Sequence, residues 1–295
     1  MEIKTEIFSP CKVNLMLAIT KPRDDGFHDL VSLVSPVRAG DTLFAKRVKR
    51  PSDAIKCDME GVPLNDENLV MRAAKLFRQE SKIEAYFDFD LIKRIPAGAG
   101  LGGGSSNGAA ALLAINELCG NPLGLETLLK LAASLGSDCP LFLTQKPIVM
   151  RGRGELVSDL PENSAALVKS LKFLIFKPDF GINTGWAYKQ MREDKTSYIP
   201  PAEAEGILQA WLKDPRTDNL PLVNNMQVAA FRKFPALQVV LEAVKKEFDL
   251  PAMMSGSGSA CFAVVNKIAK DKTALAALKA LVKSKLGESC FITEA

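Results

Sequence analysis

The residues with the clearest chemical character lie in one short stretch, Pro96-Ala97-Gly98-Ala99-Gly100-Leu101-Gly102-Gly103-Gly104-Ser105-Ser106, where five glycines in seven positions run into two serines. Before it, Ala85, Phe87, Phe89 and Leu91 alternate with Glu84, Tyr86, Asp88 and Asp90; after it comes an alanine- and leucine-rich segment, Ser105 to Leu118. Strand, glycine loop and helix in that order make an anion site. The first N–H groups of a helix have no partners and lie at the positive end of its dipole. Glycines let that backbone approach phosphate oxygens with no Cβ in the way. Ser105 or Ser106 can cap the helix and offer a hydroxyl to phosphate or Mg²⁺.

Two familiar loops fail on context. Gly98-x-Gly100-x-x-Gly103 matches the dinucleotide fingerprint, but that fingerprint needs a second parallel strand carrying an acidic residue about 20 positions on. Here a helix, the Cys119-Gly120-Asn121-Pro122 break and a second helix, Leu125 to Leu135, occupy that space. A Walker loop ends in Gly-Lys-Ser/Thr, and Gly103-Gly104 lead straight into serines. A merely flexible turn fits poorly between a strand and an alanine-rich helix.

Several further elements must hold this loop. Lys12 to Thr20 and Asp41 to Val48 read as strands, and Glu67 to Glu80 as a helix capped by Asn65 or Asp66. Lys172 to Phe176 is strand-like, and Ala202 to Lys213 and Leu237 to Phe248 are helix-like. A second glycine loop, Met253 to Ser259, precedes the apolar strand Cys261 to Val265, and an amphipathic helix, Lys270 to Leu286, closes the chain. Strands and helices interleave without a regular βαβ rhythm, which makes the class α+β. Arg151-Gly152-Arg153-Gly154 marks a hinge, dividing an N-terminal phosphate-loop domain, 1–153, from a C-terminal domain, 154–295.

Composition narrows the function. Hydrophobic residues make up 47% and charged ones 24% of 295 residues, and the net charge of +4 is too small for a nucleic-acid-binding surface. The basic run Lys46 to Arg50 reads as a solvated strand end. Six cysteines, none at C-x-x-C spacing, read as reduced thiols in a cytoplasmic enzyme, and a single histidine, His28, leaves no zinc cluster. Met1 to Glu6 has no signal-peptide core, and no apolar run reaches the roughly 20 residues that cross a bilayer.

Three motifs in order give the chain a resemblance to the GHMP kinases: Ser9-Pro10-Cys11-Lys12-Val13-Asn14-Leu15, the loop from Pro96 to Asn107, and Ser255-Gly256-Ser257-Gly258-Ser259-Ala260. Arg23-Asp24-Asp25-Gly26-Phe27-His28, Asp66-Glu67-Asn68-Leu69-Val70 and Leu135-Gly136-Ser137-Asp138-Cys139-Pro140 are most similar to one branch of that superfamily. Its members phosphorylate the 2-hydroxyl of 4-diphosphocytidyl-2-C-methyl-D-erythritol in non-mevalonate isoprenoid precursor synthesis. The likeness covers most of residues 9–155 and 251–265 and is thin between 156 and 250. Departures are Phe27 for the usual tyrosine, Cys11 for alanine and Gly108 for alanine.

The resemblance implies a two-domain fold with the active site in the cleft between domains, ATP and Mg²⁺ as cofactors, and a small cytidylyl substrate. It assigns Asp138 as the catalytic carboxylate with Lys12 beside it, and the Pro96–Ser106 loop to the ATP phosphates. Asn68 and Lys93 fall near the adenine. Asn14, Phe27, His28, Tyr188, Gly256 and Ser257 fall to the substrate, the aromatic and imidazole groups to its base. Each has a plainer reading: Asp138 as a turn cap, Lys12 as a solvated lysine, Asn68 as the cap of the helix at Leu69, Phe27 and His28 as packing, and the third motif as a tight turn. Another GHMP kinase of homoserine or mevalonate type, or a non-catalytic nucleotide-binding protein of this fold, also fits the motifs.

Overall fold

The computed structural model describes residues 4–295; Met1 to Ile3, where the segment read as lacking a signal-peptide core begins, lie outside them. The chain forms two compact units that interleave in sequence. Residues up to Lys12, Pro36–Ala97 and Gly102–Lys146 make unit one; Val13–Ser35, Gly98–Leu101 and Pro147–Ala295 make unit two. Two long strands, β1 (Lys4–Pro22) and β2 (His28–Val48), each contribute to both. In place of one boundary at Arg153, the chain therefore crosses several times, last between Lys146 and Pro147.

Unit one adds β3 (Ala54–Cys57), α1 (Leu69–Ser81), β4 (Tyr86–Ile92), α2 (Gly103–Leu118), α3 (Leu125–Leu135) and α4 (Cys139–Thr144). Its sheet runs β3-β4-β2-β1, with β4 antiparallel to β2 from Thr42↔Ile92 to Val48↔Tyr86. The period-two pattern turns Phe87, Phe89 and Leu91 inward with Leu43 and Ala45, against Val70, Ala73 and Phe77 of α1 and the alanines of α2. Small residues let α1 and α2 pack closely: a Cβ on Gly108 would stand 3.0 Å from that of Leu69. The cap of α1 is Asn68 rather than Asn65 or Asp66, its Oδ1 accepting from the Val70 N–H at 3.0 Å.

Unit two adds β5 (Ile148–Arg151), β6 (Leu156–Asp159), α5 (Glu162–Ser170), β7 (Phe173–Lys177), α6 (Thr184–Glu193), α7 (Pro201–Lys213), β8 (Val223–Asn224), α8 (Gln227–Lys233), α9 (Pro235–Phe248), β9 (Ala252–Met254), β10 (Cys261–Val264), α10 (Lys272–Leu286) and β11 (Phe291–Glu294). The stretch read as a hinge is the turn of the β5–β6 hairpin, closed by Gly154 N–H donating to Arg151 C=O at 3.0 Å. A second, antiparallel sheet runs β11-β7-β10-β9. Its Leu174, Phe176 and Met254 share a core with Val240, Leu241 and Val244 of α9 and Leu275, Leu278 and Val282 of α10.

All six cysteines are unpaired thiols, and burial pushes Cys11 and Cys139 up to about 12. Among the described residues, no helix is long and apolar enough to cross a membrane.

Candidate active site

In unit one the phosphate loop becomes the start of α2. Gly102, at φ +69°, is the N-cap and supplies no side-chain hydrogen bond; a Cβ there would strike Phe142 and the Lys12 stem at 2.9 and 3.1 Å. Neither Ser105 nor Ser106 is the cap, because the helix begins two residues before Ser105. The N–H groups of its first turn thus remain without side-chain acceptors from the cap residue, at the positive end of a helix 16 residues long.

Lys12 lies beside this terminus. It is 5% exposed, which excludes the solvated strand lysine, and its Nζ stands 3.8 Å from Asp138 Oδ2. Asp138 occupies the N-cap position of α4, yet its side chain caps nothing. Its side chain is 36% exposed. An open carboxylate, held by a buried ammonium next to a helix N-terminus, can accept or orient a proton where negative charge builds up.

The serines divide in role. Ser106 is buried and accepts from the Ser9 hydroxyl at 2.8 Å, whereas Ser105 lies in the first turn beside Gly136 and Cys139. Behind Ser106 runs a network that sequence reading missed. Asn107 Nδ2 donates to Ser9 Oγ at 2.8 Å and to Asp41 Oδ2 at 2.9 Å, and Lys93 Nζ donates to Asp41 and to Asn107 Oδ1, the latter at 3.1 Å. The other Asp41 oxygen accepts from the Arg94 and Ile95 N–H groups at 2.7 and 2.9 Å. Asp41 is fully buried, so strand ends and helix start are locked through one ion pair. Both Lys93 and Asn68, whose Nδ2 donates to Pro63 C=O at 2.7 Å, are engaged within the protein itself. The signal available for Asp41 was an acidic residue just ahead of the short apolar run Leu43-Phe44-Ala45, at the opposite end of the strand from Lys46 and Arg47.

In unit two the remaining loop residues, Gly98 to Leu101, lie on the third motif. Ala260 N–H donates to Ala99 C=O at 3.1 Å, and a Cβ on Gly100, at φ +76°, would fall 2.5 Å from Ser255 O. That motif is the β9–β10 turn, and its backbone lies against that of Gly98 to Leu101. Asn224, unremarked in the sequence, donates to Met254 and Gly256 carbonyls at 2.8 and 2.9 Å, and Ser257 pairs with Thr184 at 2.9 Å. Asn14 Nδ2 donates to Ser32 Oγ at 2.9 Å, and its N–H to Ser255 Oγ at 3.3 Å.

Unit two also assembles an aromatic cluster around His28. His28 is buried, and Tyr188 stacks on it with ring centres 4.9 Å apart. Tyr198, which no motif or spacing singles out, lies 5.9 Å away in near-parallel orientation with its hydroxyl 3.1 Å from His28 Nε2. Burial, aided by the Arg192 charge, lowers the His28 pKa, so the imidazole is neutral at neutral pH. Phe27 is 53% exposed and lies under the Arg153 guanidinium at 5.1 Å, outside this stack.

Comparison with known proteins identifies the fold and the family. Residues 68–146 match the GHMP kinases N terminal domain and 205–284 the GHMP kinases C terminal domain. The 4-diphosphocytidyl-2-C-methyl-D-erythritol kinase of Methylacidiphilum infernorum is 34% identical over 97% of this chain and 94% of its own. The chloroplastic kinase of that name from Arabidopsis thaliana is 36% identical over 87% of this chain, which spans 66% of the plant protein and 62–63% of three other plant relatives. A crystal structure of 4-(cytidine 5'-diphospho)-2C-methyl-D-erythritol kinase superposes with a TM-score of 0.76 and 31% identity, covering 98% of each chain. The chain belongs to the 4-diphosphocytidyl-2-C-methyl-D-erythritol kinase family of the GHMP kinases.

Proposed function

We propose that this protein transfers the γ-phosphoryl group of ATP to the 2-hydroxyl of 4-diphosphocytidyl-2-C-methyl-D-erythritol, in the cytoplasm. The observation that carries the reading is the Lys12–Asp138 pair, buried at one end and open at the other, beside the α2 N-terminus. The substrate oxygen forms a bond to phosphorus as the bond to the ADP oxygen breaks, and the hydroxyl proton leaves toward Asp138. Lys12, 3.8 Å from Asp138, offsets the charge that develops on the transferred group. The backbone from Pro96 to Ser106 takes the ATP phosphates; Lys93 and Asn68 act from within the frame, fixing the loop and the start of α1.

Mg²⁺ accompanies ATP in this reading. Such an ion keeps most of its ligands as water and phosphate oxygen and needs few from protein. Ser105 is the hydroxyl suited to it, because Ser106 is engaged by Ser9. When bound, the ion neutralises charge on the transferred phosphoryl group.

His28, Tyr188 and Asn14 serve the cytidylyl end, with Phe27 at its exposed margin and Gly256 and Ser257 supporting the loop. The test is a coupled ADP-release assay with three alcohols: the cytidylyl sugar alcohol, mevalonate and homoserine. Turnover is expected with the first alone. Preference for either of the others would overturn the substrate assignment while leaving the family intact.

A further inference from the structure

We infer that Tyr198 is a specificity-determining residue: its hydroxyl donates to His28 Nε2, fixes the imidazole proton on Nδ1, and thereby makes the pocket select cytosine over uracil. The inference rests on the cytidylyl reading above for its ligand, but the tautomer itself does not depend on it.

The geometry gives Tyr198 one polar partner. Its Oη lies 3.1 Å from His28 Nε2 and makes no other hydrogen bond within the described protein. A neutral imidazole has one N–H and one bare nitrogen, and the bond made at one nitrogen decides the state of the other. A phenol is a better donor than acceptor, and a bare imidazole nitrogen a better acceptor than a phenolic oxygen. The arrangement O–H···Nε2 is therefore the stable one, and it leaves the proton on Nδ1. Burial keeps the ring neutral, so the choice between tautomers is a real one.

Tyr198 is well placed to enforce this. Its flanking residues are tied down on both sides: Ile199 N–H donates to Ile19 C=O at 3.1 Å, and Asn225 Nδ2 donates to Ser197 C=O at 2.8 Å. Tyr188 holds the imidazole plane from its face. Nδ1 has no bond to any described residue. No described buried side-chain polar atom lacks a partner, so Nδ1, which has none, keeps a contact with solvent although His28 is only 4% exposed.

An Nδ1–H donor discriminates between pyrimidines. Directed at N3, it meets an acceptor in cytosine, whereas uracil carries a proton there and would set donor against donor; O2 accepts in both bases and does not discriminate. A site whose buried polar group is left unpaired rejects the wrong ligand far more strongly than one that only loses packing.

His28 is the sole histidine in the chain, so its ring nitrogens can be observed directly. Imidazole ¹⁵N spectra of the ligand-free wild type at neutral pH should show Nδ1 protonated and Nε2 bare. Tyr198→Phe, which removes one oxygen, should give a mixture of tautomers. CMP and UMP binding by calorimetry should show the wild type favouring CMP, and Tyr198→Phe reducing that ratio by about tenfold, mostly through weaker CMP binding. A wild-type proton on Nε2, or the same tautomer in both proteins, overturns the lock. A changed tautomer with an unchanged CMP/UMP ratio overturns its role in selectivity. If the wild type binds neither nucleotide, the cytidylyl reading fails and with it the selectivity claim, while the spectra still decide the lock. Should Tyr198→Phe prove unstable, the wild-type spectrum alone decides whether the hydroxyl donates.

Discussion

In the proposed function, the α2 terminus of unit one and the aromatic cluster of unit two would solve different recognition problems with different materials. The first uses backbone N–H groups and one lysine–aspartate pair; its glycines and serines are contiguous in the chain. The second uses three rings from positions 28, 188 and 198, with the residues flanking Tyr198 tied to a β1 carbonyl and to Asn225. A phosphate can be met by almost any well-aimed run of backbone donors. A base edge needs a particular donor at a particular place, and that requires side chains gathered by the fold.

The sharpest way to break this contrast is to attack the frame of the first region instead of its surface. Asp41→Ala would leave the Lys93 ammonium buried without its carboxylate and the Arg94 and Ile95 N–H groups without their acceptor. A loss of about 3–5 kcal/mol is expected in urea unfolding. A loss under about 1 kcal/mol would show that the loop is held by something other than this ion pair.

Next in size is the chemical step. Asp138→Asn keeps the shape and removes the charge, and since the side chain caps no helix, folding should be little affected. Turnover should fall by roughly 10²-fold or more while Mg-ATP affinity, read by calorimetry, stays close to wild type. Near-normal turnover would mean that the proton leaves by another group.

Two glycines in the same loop should then behave oppositely. Gly100→Ala places a Cβ against Ser255 O at a positive φ, and a melting experiment should register a loss of about 1–3 kcal/mol. At Gly104 an added Cβ would meet no neighbouring atom within 4 Å, so Gly104→Val should change stability by only about 0.5 kcal/mol. Mg-ATP affinity of Gly104→Val should nonetheless drop about tenfold, near 1.4 kcal/mol. Unchanged affinity would remove the α2 terminus from the phosphate site. Gly103 is a poorer probe, as its Cβ would stand 3.3 Å from Lys93 Nζ and disturb the frame together with the ligand.

What could be read beforehand follows the same contrast. Strand β4, the glycine loop and α2 were legible because alternation, glycine clustering and alanine richness are local signals, and α3 has the bounds its periodicity indicates. The Arg151–Gly154 turn misled because glycine marks a reversal without saying whether it joins domains or two hairpin strands. Lys93 and Asn68 carry residue types suited to a nucleotide, and only tertiary contacts show that both side chains are engaged in the fold. Tyr198 and Asn225 left no trace, since neither belongs to a run or a period: a buried hydrogen bond to a residue 170 positions away has no signature in sequence.

The smallest expected effect tests the neutrality of His28, on which its role in the pocket depends. Burial lowers its pKa from the ordinary 6.5, and the Arg192 charge acts in the same direction; the rings of Tyr188 and Tyr198 lie against it, and burial pushes the Tyr198 phenol up, so it stays neutral here. The unfolded chain therefore takes up this proton at a higher pH than the folded chain does. Between about pH 6.5 and the lower folded value, the unfolded state binds more protons, so stability falls as pH falls and is unaffected above about pH 7.5. Asp25, Asp29, Asp58 and Asp88 have lowered values as well, but theirs is the opposite kind of group and they respond only below about pH 4.5. The comparison is thus made between pH 7.5 and 5, where carboxylates contribute little. Wild type should lose a few degrees of melting temperature over that range, and His28→Gln, which cannot titrate, should lose less. Equal slopes would mean that the imidazole accepts its proton as readily folded as unfolded, so that burial does not hold the ring neutral below its ordinary value.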